Sequence, residues 1–535
     1  MKFLEKRKNI VITLVLICIV QLAVSILVAG QKNYLFMDEL FSYASANRIG
    51  GAAIELPANE WLNEQWYLDY VSVQNEDRFD FSIPYGNQKS DVHPPLFYIF
   101  LHAACSFFPG EFSVGAGVGI NIIFSLCCTV VLFLLTKEVF SSKECGLIVA
   151  SLYALSFGAM NSVVFVRMYM LLILFAILYV YIHVSFFRKQ NTSLLAYIAA
   201  AIVLIMGVLT QYYFIFFAFL VAVWYVCYFF KERNYQVLIR YIGTMLLSAI
   251  SSIIIFPAML DHLFRSGRGV EAQGNLFEFD GYLDNLVVFC KIIDNQLFTG
   301  TFVLILLATA AVSVLIYFLK KRIDLSFWKK TCFILFVCVG YVLIVAKLAP
   351  YQVDRYVMPI YPLVYMLTVG IVYCLMKSLF FAKVALSLCL IGFGGLSMIH
   401  TVVSGIPYTY TGNSFVQERI VTAQNNKDSC ALYIDEVDND SSRYYDVLQV
   451  LKEYKSFYFV DDLNQSSVFK RDMEHLLLED QVVIYVNKSE NDELEKVFSL
   501  IKSAFQLDSP EQISKIHVDE QWTVYAVNIN QGKNN

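Results

Sequence analysis

Charge is scarce in this chain. Only 16% of its 535 residues are Asp, Glu, Lys or Arg, where soluble domains carry roughly 25%, and 58% are hydrophobic. With a mean hydropathy of +0.57, that scarcity excludes an ordinary soluble domain and points to a polytopic membrane protein. The formal net charge of −5 comes without a basic tract, so nothing suggests a nucleic-acid partner. A disulfide framework is lacking too. Of the twelve cysteines, all but Cys105, Cys290 and Cys430 fall in apolar runs of spanning length, and buried apolar thiols are the plain reading. No His/Cys ligand set calls for a metal and no cofactor is required. Asp38, Glu39, Asp91 and His93 would offer donors to a divalent cation if they converged.

What the chain has is long apolar runs. Eleven spans are expected, near 9–30, 116–136, 145–162, 165–187, 193–210, 212–230, 241–259, 301–319, 331–348, 356–376 and 384–404. The first run is longer than a 7–15-residue signal-peptide core, so it reads as an uncleaved span. Lys and Arg orient the set. Lys2, Lys6, Arg7 and Lys8 hold the N-terminus inside; Lys137, Lys143, Arg188, Lys189, Lys231, Arg233, Arg240, Lys320–Arg322, Lys329, Lys330, Lys377 and Lys383 then also fall inside. That agreement requires the short stretch 94–108, between Pro94-Pro95 and Pro109-Gly110, to be a juxtamembrane helix on the outer face.

The expected domains are a membrane domain, 1–404, and an extracytoplasmic soluble domain, 405–535. The first outer loop, 31–93, carries Trp61, Trp66 and several Tyr and Phe, so it is expected to lie against the bilayer. The tail holds 22 Asp+Glu against 12 Lys+Arg. Its patterns read as strands at Cys430–Ile434, Ser456–Val460, Gln481–Val486, Ile513–Val518 and Thr523–Ile529, with helices at Ser442–Lys455, Val468–Leu478 and Asn491–Phe505. Alternation of this kind suggests a small α/β domain with a mainly parallel sheet.

Nearly every polar residue of chemical interest lies at an outer membrane boundary, where an ionisable group needs a partner or a wet cavity. Asp38 and Glu39 are adjacent, so on a helix they point about 100° apart and cannot serve one small site alike. One acts as base while the other positions substrate or supports the fold; alternatively Asp38 is the N-cap of a helix from Glu39 to Asn47. In Asp91-Val92-His93-Pro94-Pro95, proline keeps His93 extended, so Asp91 and His93 project from one side, beside a helix N-terminus suited to phosphate. A solvated interfacial histidine is the competing reading. Arg167, in Arg167-Met168-Tyr169, and Arg355, in Asp354-Arg355-Tyr356, open spans and offer phosphate-binding forks, or else anchor at the interface and pair with neighbours such as Asp354. Gln211-Tyr212-Tyr213 would hydrogen-bond a sugar or belong to an aromatic belt.

Together these motifs resemble the GT-C superfamily of integral-membrane glycosyltransferases, in the branch of the protein O-mannosyltransferases and aminoarabinose transferases. The likeness runs over most of 30–376. It rests on Asp38-Glu39 after the first span, Asp91-Val92-His93-Pro94-Pro95-Leu96, Arg167-Met168-Tyr169, Gln211-Tyr212-Tyr213 where relatives often show His-Tyr-Tyr, and Arg355-Tyr356 followed by Pro359. It implies inverting sugar transfer from a polyprenyl-phosphate donor in the membrane to an extracytoplasmic glycan, lipid or protein. Asp38 would be the base and Glu39 its companion; His93, Arg167 and Arg355 would hold the phosphate, with Asp91, Tyr169, Gln211, Tyr212, Tyr213 and Tyr356 around the substrate. The chain departs from the pattern at Gly115-Ala116-Gly117, where relatives carry an Arg-Leu-Pro-like stretch, and at Gln211. A flippase of lipid-linked sugars and a non-enzymatic envelope-assembly protein, recruiting a partner through its acidic domain, are the alternatives.

The topology is directly testable. A cysteine introduced at Ser113, in a background free of other accessible thiols, is expected to react with an impermeant reagent from outside. Labelling only after permeabilisation would put 94–108 across the membrane.

Overall fold

A computed structural model describes residues 2–52, 60–187, 193–318, 327–377, 382–434, 441–460, 479–487, 512–519 and 522–529, with isolated positions between 473 and 507. In chain order the helices are α1 (Lys2–Ala29), α2 (Met37–Asn47), α3 (Glu64–Val71), α4 (Ser82–Ser90), α5 (Leu96–Cys105), α6 (Val114–Phe140), α7 (Lys143–Ala154), α8 (Phe157–Val164), α9 (Tyr169–Ser185), α10 (Leu194–Thr210) and α11 (Tyr213–Lys231). They continue with α12 (Tyr235–Ile255), α13 (Met259–Phe264), α14 (Gly267–Asn275), α15 (Tyr282–Phe298), α16 (Phe302–Phe318), α17 (Trp328–Leu348), α18 (Tyr361–Lys377), α19 (Ala382–Ser404), α20 (Ser414–Asn425) and α21 (Ser441–Leu451).

The chain forms two compact units, Met1–Gln31 with Pro84–Ala104 and Val114–Tyr408, and Lys32–Ile83 with Cys105–Ser113 and Thr409–Asn535. Where the sequence drew one boundary near 405, the contacts also gather most of the first outer loop with the tail.

The first unit is helical. Among the described residues six helices are long and apolar enough to cross a membrane: 8–29, 114–140, 213–231, 235–255, 328–348 and 358–377. Two bent pairs, α7 with α8 at 55° and α15 with α16 at 76°, raise the number to as many as eight. The expected spans at 165–187 and 193–210 are the 17-residue helices α9 and α10. This is a multi-pass membrane protein. Leu194, Ile254 and Val403 are 74%, 71% and 79% exposed, an arrangement that suits lipid and would drive a soluble protein to aggregate.

Local chemistry explains the breaks. Ser156 ends α7 and starts α8: its hydroxyl donates to the Tyr153 carbonyl at 2.8 Å and accepts from the Ala159 N–H at 3.3 Å. Helix α15 escaped the sequence reading because Asp284, Asn285, Lys291, Asp294 and Asn295 interrupt its apolar run. Helix α5 has ten residues, about 15 Å of rise against a ~30 Å hydrocarbon core. Inside the unit, Gln21 of α1 donates to Ser125 and accepts from Thr129 of α6, both at 2.7 Å, so the amide ties the two helices without an unsatisfied group. Gly207 is where α10 meets α11; a Cβ there would lie 2.4 Å from the Phe214 ring.

The second unit is built on a six-stranded sheet, β1 (Trp61–Leu62), β2 (Cys430–Ile434), β3 (Ser456–Val460), β4 (Gln481–Asn487), β5 (Ile513–Val518) and β6 (Trp522–Asn528), in the order β1-β3-β2-β4-β6-β5. Strands β3, β2 and β4 are parallel; β6, β5 and β1 join antiparallel. The sheet is therefore mixed rather than mainly parallel, because the last two strands form a hairpin that needs no crossover helix. Central β2 is buried at every position, whereas edge β5 buries only His517 and carries a bulge between Lys515 and His517. The expected helix at 442–455 is α21; those at 468–478 and 491–505 lie mostly outside the described residues. The sequence did not mark α20.

Strand β1 comes from the first outer loop. The aromatics that suggested a loop against the bilayer pack in this unit instead: Trp61 meets Tyr458 at 5.2 Å between ring centroids, and Trp66 meets Phe457 at 6.4 Å. Residues 409–535 expressed alone are thus expected to melt at a lower temperature than the same residues fused through a short linker to 32–83. Equal melting would show that the loop adds nothing to the domain.

Candidate functional site

The break between α8 and α9 creates the site's first element. A helix end leaves carbonyls without partners. Asn121, on α6, satisfies two of them: its Nδ2 donates to the Val163 carbonyl at 3.1 Å and to that of Phe165 at 2.7 Å. The Arg167 N–H turns back to the Phe165 carbonyl at 2.7 Å, leaving Arg167 in the break with only 4% of its surface exposed. A guanidinium is a permanent donor and must find acceptors. Its Nη1 donates to the Tyr98 hydroxyl at 3.2 Å, and its Nη2 lies 3.3 Å from His93 Nε2. Since arginine can only donate, Nε2 is the acceptor and the imidazole proton sits on Nδ1. That atom faces Asp91 Oδ2 at 3.1 Å. Gln88, with its amide in the orientation that satisfies its surroundings, donates to the same Oδ2 at 3.0 Å and to the His93 carbonyl at 2.9 Å.

The result is a directed chain, Arg167 to His93 to Asp91, at the start of α5. Burial pushes the Asp91 carboxyl up, but His93, the Val92 N–H and Arg167 outweigh it and bring the pKa down to about 2. Next to it, the Tyr212 hydroxyl meets His262 Nδ1 at 2.8 Å, and His262 Nε2 meets the Lys89 carbonyl at 3.3 Å. Burial lowers the His262 pKa, which agrees with a neutral ring.

A second group surrounds Asp354. Its carboxylate accepts from Asn161 Nδ2 at 2.9 Å and from the Tyr408 hydroxyl at 2.7 Å. Burial raises its pKa, opposed by Tyr408, by the N–H and charge of Arg355, and by Asn161. Arg355 lies over the Tyr356 ring at 5.7 Å, and Tyr356 meets Tyr213 at 5.1 Å. Stacking ties the groups: Phe165 is parallel to Tyr408 at 3.9 Å and to Tyr169 at 5.7 Å, so the residues flanking Arg167 also brace the Asp354 cluster. Gln211 accepts from the Tyr212 N–H at 2.7 Å through its Oε1, which commits its carbonyl oxygen to the start of α11.

The second unit holds Asp38 and Glu39, and it separates them. Helix α2 begins two residues earlier than expected, with Phe36 as N-cap, so Asp38 is not the cap. Glu39 is fully buried, accepting from the Phe36 N–H at 2.8 Å and from Lys32 Nζ at 2.9 Å. Burial lowers the Lys32 pKa against the pull of Glu39. Asp38, one residue earlier, is half-buried. Among the described residues no three His, Cys, Asp or Glu side chains gather as metal ligands.

Sequence reasoning missed Tyr98, Gln88, Asn161, Tyr408 and His262. Tyr98 and Asn161 had a signal, a polar group inside an apolar helix; Gln88 and Tyr408 had none, since their partners are remote or depend on the fold.

Among solved structures the chain is similar to ArnT from Cupriavidus metallidurans bound to undecaprenyl phosphate, at 11% identity and a TM-score of 0.53, covering 96% of this chain and 97% of that one. The chain has the GT-C fold. The apo state of the same ArnT gives 12% identity and a TM-score of 0.48, covering 91% and 96%. The archaeal oligosaccharyltransferase AglB from Archaeoglobus fulgidus, in complex with an inhibitory peptide and a dolichol-phosphate, gives 11% and 0.44, covering 91% and 71%. No family model and no curated protein matches the chain. Within this fold the motif residues fall into three contact groups, around Arg167, around Asp354 and around Glu39.

A depressed carboxylate pKa contributes stability that is complete above the unfolded value and lost as the pH falls through the folded one. Asp91→Asn is therefore expected to lower the melting temperature by a constant amount from pH 8 down to about 4, with the gap closing as pH approaches 2. A gap that does not narrow would mean that the ionised carboxylate is not what stabilises.

Proposed function

We propose that this protein is a membrane glycosyltransferase that moves a sugar from a polyprenyl-phosphate donor to an extracytoplasmic acceptor. The chain Arg167–His93–Asp91 is the observation that carries this reading: a buried cation and an oriented imidazole at a helix N-terminus, held by a carboxylate kept ionised. Such a set suits a phosphate. The undecaprenyl phosphate bound to ArnT, on the same fold, supports the class of donor.

In this reading Asp38 takes the proton of the acceptor hydroxyl, whose oxygen attacks the anomeric carbon on the face opposite the phosphate. The carbon–oxygen bond to the polyprenyl phosphate breaks and its electron pair goes to the phosphate oxygen, inverting the configuration. Charge grows on the departing phosphate, so cations fixed in advance favour the transition state over the ground state. Arg167 and Arg355 supply that charge, and His93 joins them in holding the phosphate. Glu39 supports the fold of the loop: its Oε2 already accepts from Lys32 and from the Phe36 N–H. Tyr356 and Tyr213 offer ring faces and hydroxyls for a sugar. The N-terminus is cytoplasmic and the sheet-bearing unit extracytoplasmic in this scheme.

Asp38→Asn keeps shape and removes the base, so turnover with undecaprenyl-phosphate monosaccharides is expected to fall ~10²–10⁴-fold while undecaprenyl phosphate still binds. Wild-type turnover in this variant would remove Asp38 from the chemistry. Arg167→Ala is expected to weaken undecaprenyl phosphate by about 10–100-fold, the worth of one charge-assisted hydrogen bond. Arg355→Lys is expected to cost more than its retained charge suggests, because the planar fork is lost. Unchanged donor kinetics in Arg355→Lys and Arg355→Ala would return Arg355 to a purely structural place.

A further inference from the structure

The segment that leads into α2 is fastened residue by residue within the second unit. Lys32 Nζ reaches Glu39 at 2.9 Å, Asn33 Nδ2 reaches Gln417 Oε1 at 2.8 Å, and the Tyr34 hydroxyl reaches the Asp446 carbonyl at 2.8 Å. Leu35 is gripped at both of its backbone groups by one side chain. Its N–H donates to Gln449 Oε1 at 2.9 Å, and its carbonyl accepts from Gln449 Nε2 at 2.8 Å. A carboxamide alone among side chains offers a coplanar donor and acceptor that can pair a backbone as a neighbouring strand does. Gln449, on α21, is 8% exposed and Leu35 is 1% exposed, so water competes little for either group.

This grip lies one residue before the N-cap Phe36 and three before Asp38, in the first turn of α2. The direction of a first-turn side chain follows from the backbone entering the helix, because each Cα–Cβ bond is fixed relative to the helix axis. Glu39 fastens the first turn itself through Lys32. Two anchors on one turn leave Asp38 little freedom of orientation.

We infer that Gln449 is a positioning residue for Asp38, through which the tail of the chain takes part in the reaction without carrying a catalytic motif of its own. The inference rests on the reading of Asp38 as base. Gln449 touches no reacting atom; it sets where the Asp38 carboxylate points.

The test uses the full-length protein in nanodiscs, with a panel of synthetic undecaprenyl-phosphate monosaccharides as donors and undecaprenyl phosphate alone as the binding probe. Gln449→Ala is expected to lower kcat ~10- to 100-fold, the scale of an ångström-sized misplacement, with the donor KM and the affinity for undecaprenyl phosphate changed less than about twofold. The acid limb of the kcat–pH profile is expected to move, and amides 35–42 to lose protection in hydrogen exchange. Gln449→Asn, which keeps the amide one methylene short, is expected to fall between; it also serves where the alanine variant folds poorly. A merely structural role would lower the fraction of active enzyme and leave KM, the pH profile and exchange in the folded fraction unchanged. Wild-type kcat in Gln449→Ala beside an inactive Asp38→Asn overturns this inference alone, as does unchanged protection of amides 35–42. Full turnover in Asp38→Asn overturns the base assignment and the inference together.

Discussion

A guanidinium buried in an apolar helical unit constrains everything near it. Arg167 cannot lose its proton, and taking such a charge out of water costs several kcal/mol unless partners compensate. The compensation is distributed over three side chains. Tyr98 from α5 and His93 from the segment before it accept from the guanidinium, and Asp91 supplies the opposing charge through the ring. The position of Arg167 depends in turn on Asn121, which pairs the carbonyls exposed where α8 stops. A continuous helix from 157 to 185 would have no use for that amide and would carry Arg167 on a helical face instead of in the turn. The break, the asparagine and the hydrogen-bonded histidine are therefore one device.

The same logic, a buried charge answered locally, shapes the second unit. Lys32 and Glu39 are both inaccessible, and each would be costly alone. Their pairing spans the first turn of α2, so the acidic doublet is divided between one carboxylate committed to the fold and one left half-buried. The adjacent-residue geometry of a helix requires such a division, though not which member goes inward. Lys32 decides it.

Much of the fold was legible in the sequence because its signals are local. All five strands from residue 430 onward lie within a residue or two of where β-branched and aromatic patterning places them, and each of the apolar runs holds a helix. What was not legible depends on partners. Strand β1 has two residues and exists because Ser456–Val460 offers an edge to pair with. The start of α2 was misplaced because Phe36 is no usual N-cap; the reciprocal bond from Glu39 replaces the missing side-chain oxygen. In the site, the facing of Asp91 and His93 followed from the proline after the histidine, and the contact is there at 3.1 Å. The placement of Asp354 against Asn161 and Tyr408, 193 and 54 residues away, had no sequence signal, and neighbouring Arg355 was the natural guess.

Polar groups inside the helical unit bear on the difference between an enzyme and a transporter. A transport path needs polar groups near the bilayer midplane that can exchange partners with a passing substrate. Two buried polar side chains of α1 and α9 instead have both of their polar groups matched within the unit. Gln21 uses its donor on Ser125 and its acceptor on Thr129. His183 places Nδ1 against the Tyr179 carbonyl at 2.7 Å and Nε2 against the Tyr241 hydroxyl at 3.0 Å, within a ring of Phe186, Tyr225 and Tyr241. Matched pairs of this kind hold helices together and resist rearrangement, because any departure exposes a polar atom to hydrocarbon. The partners of Arg167 differ in kind. His93 is partly exposed, and a phosphate oxygen is a stronger acceptor for a guanidinium than a neutral imidazole nitrogen. In the proposed reading, a phosphate there would replace a weaker bond with a stronger one, while Asp91 keeps its hold on Nδ1. The proposed binding chemistry thus centres on the helix break, apart from matched pairs such as those of Gln21 and His183 inside the helices.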